Sequence, residues 1–443
     1  MTSPAHVHDV LRRSLLVDGY DFVLDTARSQ GSQLVDARTG ERYLDMFSFY
    51  ASNALGMNHP HLAGDPQFRE TLVEVALNKP PNSGVYTTHF ADFVATFDRV
   101  VGDPRLPHRF FVEGGALAVE NALKVAFDWK SRCNEAAGRS PDLGTRVLHL
   151  TRAFHGRSGY TMSLTNSDPV KVARYPKFDW PRIPVPAVTF PVTEHLADLQ
   201  AAESTALAAA RTAFAEHPHD IACFLFEPIQ GEGGDNHMRP EFLQAMQDLC
   251  GRHDALFVAD EVQTGGGLTG TPWACSQLGL RPDVVAFGKK FQVCGVMAGG
   301  RVDDIDDNVF RVSGRINSTW GGNLTDMVRA RRILEVIESE SIFARVAPLG
   351  ELLLRRLVQA QEEHPALLSN ARGRGLMCAV DLPDVATRDE VVGRMAVAER
   401  VLILTSGMRS IRFRPTLTVL ADELEAACAA LGRVLATLRA AST

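Results

Sequence analysis

The sequence predicts an α/β protein: a large domain with a mostly parallel sheet flanked by helices, plus a smaller α+β domain. Three observations carry this. Short runs that are apolar on both faces recur from about residue 107, helical patterns separate them, and the texture changes after about residue 326. Strands buried on both faces and spaced by helices belong to a parallel sheet with crossover helices.

Residues Gly31 to Asp45 have the pattern of short strands joined by turns, with Arg38-Thr39-Gly40-Glu41 between two of them. The alternation then begins with Arg109 to Val112 and a helix over Leu117 to Lys130, where Ala118, Ala122, Val125, Ala126 and Trp129 share one face. Further strands are expected at Val147–Leu150, Cys223–Phe226, Ala255–Ala259 and Asp283–Phe287. A long helical pattern through Ile333, Leu334 and Ile337 gives way to strands at Gly375–Leu382, Val401–Leu404 and Ile411–Phe413, then a closing helix. The expected organisation is an N-terminal segment, residues 1–70, contributing to the small domain; a large domain over 71–330; and the small domain over 331–443.

The bulk numbers narrow the function. A chain of 443 residues buries a full core, and 45% hydrophobic with 22% charged residues is ordinary for a globular protein. A net charge of −7 argues against nucleic acid or an anionic membrane as the main partner. The longest apolar runs, such as Ile221 to Phe226, are too short to span a bilayer, and the N-terminal residues lack the apolar core of a secretory signal. Seven cysteines without a CxxC pair suit reduced, buried thiols in the cytoplasm. His59-Pro60-His61 and His217-Pro218-His219 lack a third ligand at useful spacing, so no metal is expected.

The chemistry concentrates in Ala259-Asp260-Glu261-Val262-Gln263-Thr264-Gly265 and Ala286-Phe287-Gly288-Lys289. Asp260 ends one buried strand and Lys289 follows the next, and open α/β sheets gather ligands at the carboxyl ends of their strands. A carboxylate and a lysine meeting there are what pyridoxal 5′-phosphate (PLP) chemistry needs: an amine to carry the cofactor, and an acid to keep the pyridine nitrogen protonated. Taken singly, a strand-end aspartate is usually a helix cap and a loop lysine a solvated charge.

The joint pattern resembles the class III (ω-amino acid) aminotransferases of PLP fold type I. Asp260-Glu261-Val262-Gln263-Thr264-Gly265, Pro282-Asp283 and Gly288-Lys289 stand in that family's order, with its interval of 29 residues from Asp260 to Lys289. The resemblance implies Lys289 and Asp260 as catalytic residues. It also implies cofactor contacts from Gly115 and Ala116 at a helix N-terminus, Phe154 over the ring, Gln263 on the phenolic oxygen and Thr319 reaching a phosphate across a homodimer interface. Glycine before a helix suits an anion, because it permits close backbone approach and the helix presents unpaired N–H groups. Ala116 departs from the family's hydroxyl residue there, so the phosphate must lean on backbone amides. Lys290 is expected to be structural or solvent-facing.

Five runs, including Glu227-Pro228-Ile229-Gln230-Gly231-Glu232 and Phe154-His155-Gly156-Arg157, are similar to the branch that removes the terminal amine of lysine. That branch implies L-lysine and 2-oxoglutarate as substrates, with 2-aminoadipate 6-semialdehyde and glutamate as products. Arg157 then grips the distal carboxylate in a fork. Arg412 takes the carboxylate that glutamate carries beside its reacting carbon, Glu232 neutralises Arg412 when lysine is bound, and Asn317 orients the substrate. Phe291 and the pair Gly266 and Leu268 depart from the common pattern. Another ω-amine donor (ornithine, 4-aminobutyrate) and a non-catalytic PLP-binding relative are the alternatives.

Overall fold

The computed structural model describes residues 2–441. Its central sheet has seven strands in the order His108–Val112, Cys294–Ala298, Val284–Phe287, Leu256–Asp260, Ile221–Phe226, Arg146–Leu150 and Arg182–Ile183. The last five run parallel to one another, whereas Cys294–Ala298 is antiparallel to both its neighbours. That strand was not expected from the sequence. It returns directly from Val284–Phe287 after a short turn, so no crossover helix announces it.

Two-residue periodicity sorts the sheet's side chains onto two faces. Phe224, Phe226, Phe257, Val285 and Phe287 enter one apolar core with Phe93, Phe97 and Phe242. Cys223, Leu225, Val258, Val284 and Ala286 enter the other, against Ala118, Ala122, Val125 and Ala126 of the Gly115–Ala136 helix. The apolar helix face read from the sequence is therefore the face that covers the sheet.

A second body of structure joins the two ends of the chain. Arg42–Asp45 pairs antiparallel with Gln33–Val35 and parallel with Val401–Leu402. A four-stranded antiparallel sheet holds Ser369–Arg374, Met377–Asp381, Ser410–Phe413 and Leu404–Ser406. Their core packs Leu44, Met46 and Leu55 with Leu353, Leu357, Val380, Ile411 and Leu431. The Leu324–Ser339 helix spans both bodies: Met327, Ala330 and Leu334 enter the first core, while Ile333, Val336 and Ile337 enter the last. Among the described residues no helix is long and apolar enough to cross a membrane, and no three metal-ligating side chains cluster. The seven cysteines are free thiols, five of them buried.

Candidate active site

A cavity of about 370 Å³ opens where the Ile221–Phe226, Leu256–Asp260 and Val284–Phe287 strands end, and Lys289, Asp260, Phe154, Gln263 and Glu232 line it. Asp260, the final residue of its strand, is buried. One carboxylate oxygen accepts the Val262 backbone N–H at 3.0 Å, and the other accepts the His155 Nδ1–H at 2.8 Å. His155 is buried too, and its Nε2 has no partner among the described residues. The adjacent Glu261 faces away from the cavity; its carboxylate accepts Thr264 Oγ1–H and the backbone N–H groups of Ala274 and Cys275. Of two neighbouring acids, alternation along the strand thus gives one to the site and one to a structural tie.

Lys289 leaves its strand through extended Gly288 and takes a positive φ of 48°. Its ammonium makes no hydrogen bond or ion pair among the described residues. Burial, reinforced by Arg412, pushes its pKa down to about 8 against the opposing pull of Glu232, Asp260 and Glu227. A half-buried, unengaged lysine amine with a lowered pKa is suited to act as nucleophile and base. Glu227 has its pKa pushed up to about 7 by burial, and it ties the Phe154 and Gly231 backbone N–H groups, each at 3.0 Å.

Gly115 and Ala116 open the Gly115–Ala136 helix at the cavity wall. A side chain at Gly115 would come within 3.0 Å of Val262 Cγ1, and one at Gly156, where φ is 117°, within 2.5 Å of Ala116 Cβ. The Phe154–Arg157 loop therefore lies directly on the helix N-terminus, with the ring of Phe154 at the cavity.

Arg412 of the Ser410–Phe413 strand is buried, and its Nη2 donates to Glu232 Oε2 at 3.0 Å. The other Glu232 oxygen accepts from Lys171 Nζ. Burial raises the Glu232 carboxyl, but Arg412 and then Lys171 outweigh it and hold it below the ordinary value. Gln263 Oε1 accepts from Arg414 Nε at 3.3 Å and from Arg412 Nη1 at 3.5 Å. With its carbonyl so engaged, the amide turns its N–H groups elsewhere as donors. Gly231 is what admits it, since a side chain there would fall 2.4 Å from Gln263 Oε1.

The model of the family described as "Aminotransferase class-III" matches residues 17–435. The chain belongs to the class-III aminotransferases. This aminotransferase is 61% identical over 434 residues to the L-lysine-epsilon aminotransferase of Mycobacterium tuberculosis, covering 98% of this chain and 96% of that one. It is 60% identical over 431 residues to the enzyme of the same name from Amycolatopsis lactamdurans, covering 97% and 96%. A solved lysine aminotransferase from M. tuberculosis, in its internal aldimine form, superposes with a TM-score of 0.97 at 60% identity, covering 98% of this chain and all of that one. The fold is PLP fold type I, and the enzyme is PLP-dependent.

The residues fit that cofactor. An unengaged Lys289 amine, the Asp260 carboxylate, the phenyl face of Phe154, a Gln263 donor and an open helix N-terminus for an anion converge on one cavity. Asn317 and Thr319 are not brought there: both are exposed on a loop, and neither lines the cavity of its own chain. Arg157 sits exposed at the cavity mouth, without an ion pair or hydrogen bond among the described residues. Phe291 packs beneath the site rather than in it, its buried ring against Phe97, Trp273 and Phe287. Gly266, at φ 73°, is needed because a side chain there would meet Lys290 Cβ at 2.8 Å. Lys290 is buried and structural, donating to the backbone oxygens of Asn53 at 3.0 Å and Pro415 at 3.3 Å.

The sequence reading missed His155, Glu227 and Lys171. His155 directly follows Phe154 in the Phe154–Arg157 run, and Glu227 opens the Glu227–Glu232 run. Lys171 lies in an ordinary loop sequence and gave no signal.

Proposed function

We propose that this aminotransferase moves the ε-amino group of L-lysine to 2-oxoglutarate, giving 2-aminoadipate 6-semialdehyde, which cyclises to a piperideine carboxylate, and glutamate. The observation that carries the reading is Glu232 on Arg412 inside the cavity. The ε-carbon of lysine bears no carboxylate, so with lysine bound Arg412 would face no anion, and a buried unpaired charge is costly. Glu232 supplies the anion. 2-Oxoglutarate and glutamate bring their own carboxylate to that place, and Glu232 then has to leave. The relatives named for lysine, at 58–61% identity, support the same donor.

PLP, when bound, supplies an electron sink for the carbon that loses its proton. Lys289 Nζ would hold the cofactor and, when free, act as the base that takes the proton from the ε-carbon of lysine and then as the acid that delivers it to the cofactor's C4′ carbon. Asp260 anchors the pyridine nitrogen, and His155 fixes the orientation of its carboxylate. Gln263 donates to the phenolic oxygen, the N–H groups at Gly115 and Ala116 receive the phosphate, and Arg157 grips the distal carboxylate. Thr319 and Asn317, exposed in a single copy, serve the site of a second copy in a homodimer working in the cytoplasm. Residues 1–70 belong with 331–443 in a small domain against a large domain over 71–330, the reading that the Arg42–Asp45 pairing with Val401–Leu402 favours.

The deciding experiment compares lysine, ornithine and 4-aminobutyrate as donors under saturating 2-oxoglutarate. Lysine is expected to have the highest kcat/KM. No turnover with lysine, alongside turnover with another donor, would remove lysine from the reading and leave the aminotransferase chemistry standing.

A further inference from the structure

Glu232 touches two cations, and the reading above uses only one. Its Oε2 is on Arg412 at 3.0 Å and its Oε1 is on Lys171. The two come from different parts of the fold. Arg412 is buried on the Ser410–Phe413 strand, whereas Lys171 ends the short Pro169–Lys171 turn, whose Asp168 side chain accepts the Val170 backbone N–H. Lys171 Nζ also stands 5.6 Å from the centre of the Phe154 ring, at the edge of the cavity that Arg157 lines.

The backbone around Glu232 does not offer a way to move. Its carbonyl accepts the Gly407 N–H at 2.9 Å, and the Gly231 carbonyl accepts Ser406 Oγ–H at 2.6 Å. A side chain at Gly233 would lie 1.8 Å from the Arg152 carbonyl, so that loop is packed against its neighbours. Glu232 can therefore leave Arg412 only by turning its side chain. Once turned away alone, a half-buried carboxylate would lose its cation, and ions out of water without partners are unfavourable. The contact between Oε1 and Lys171 removes that difficulty, because it lies on the carboxylate oxygen that Arg412 does not use. The charges agree: Arg412 and Lys171 against Glu232 leave one cation over, the balance of a site awaiting one more carboxylate.

We propose that Lys171 is a positioning residue that retains Glu232 after Arg412 is released to the α-carboxylate of 2-oxoglutarate or glutamate, and so sets how readily the site accepts a dicarboxylate. This rests on Arg412 as the α-carboxylate arginine, but not on lysine as the amine donor. Lys171 itself does not line the cavity that holds Lys289 and Asp260.

The test uses the holoenzyme with Lys171→Met and Lys171→Arg, following each half-reaction separately and titrating glutarate, a dicarboxylate that does not react. In Lys171→Met the KM for 2-oxoglutarate and the Kd for glutarate are expected to rise about fivefold, the scale of a partly screened ion pair. The amine half-reaction should change less, and Lys171→Arg should restore most of the loss. In a Glu232→Gln background, which has no carboxylate to retain, the effect of Lys171→Met should vanish. Equal losses in both half-reactions, no change in either, or an effect that persists without Glu232 would each overturn the proposal; the last would make Lys171 a direct substrate contact. If Arg412→Met leaves glutarate binding intact, the underlying reading fails instead, and if lysine is not the donor, the same comparison runs with the donor that turns over.

Discussion

The two sides of the cavity are built differently. On the cofactor side, Asp260 ends a central strand, is buried, and has both carboxylate oxygens occupied by fixed donors, the Val262 N–H and His155. Glu227 is equally enclosed, and each of its oxygens holds one backbone N–H. On the substrate side, Glu232 is half-exposed, sits on a loop, and divides its carboxylate between a buried strand arginine and a lysine on a surface turn. A group that always meets the same ligand gains from rigid preorganisation. A group that must serve two unlike substrates needs partners it can exchange with little cost. The roles proposed for the two sides account for the difference.

The comparison breaks most severely at Lys289. Lys289→Ala should reduce both half-reactions alike, by about 10⁴-fold or more, and borohydride should no longer fix the cofactor to the chain. An equal loss in both halves is the signature of the cofactor side. The substrate side should instead split them. Glu232→Gln is expected to weaken the lysine half-reaction about 10- to 100-fold relative to the 2-oxoglutarate half, the scale of a lost charge-assisted hydrogen bond. Single-turnover absorbance measurements with each substrate would show the split, and equal losses would place Glu232 with the rigid group.

A smaller effect is expected with pH. Because burial lowers the Lys289 pKa to about 8, the amine is protonated below that value and neutral above it. The neutral amine is the nucleophile, so the rate at which PLP adds to cofactor-free protein should rise about tenfold per pH unit up to roughly 8 and then level off. Stopped-flow absorbance at several pH values would measure it; a rise that continues toward pH 10 would mean that burial does not shift this lysine. The least effect on chemistry is expected beneath the site. Gly266→Ala forces a side chain onto Lys290 at positive φ and should cost about 1–3 kcal/mol of stability. Thermal unfolding would report the loss, with activity per folded molecule nearly unchanged.

By itself the sequence determined five of the seven strands of the central sheet, the covering helix, and the pairing of Asp260 with Lys289 in one crevice. These are local facts: a period of two along strands, a helical stripe, and strand ends that share a direction. It also made Phe154, Gln263 and the Gly115–Ala116 turn legible through motifs, each of which lies within a few residues of a strand end. Which neighbour faces the cavity was legible for Asp260, but not for Phe291, whose ring packs with Phe97 and Trp273 below it. Nor could Lys290 be told from a solvent-facing lysine until its contacts with Asn53 and Pro415 were seen. Only the tertiary structure decided the substrate side. Arg412 lies 180 residues from Glu232, and Lys171 lies 61 residues from it. No periodicity or spacing brings such segments together; side chains from two separate cores and a surface turn meet there because those bodies pack against one another. A lysine in a loop carries no mark of what it will touch, and only the fold brings Lys171 to Glu232.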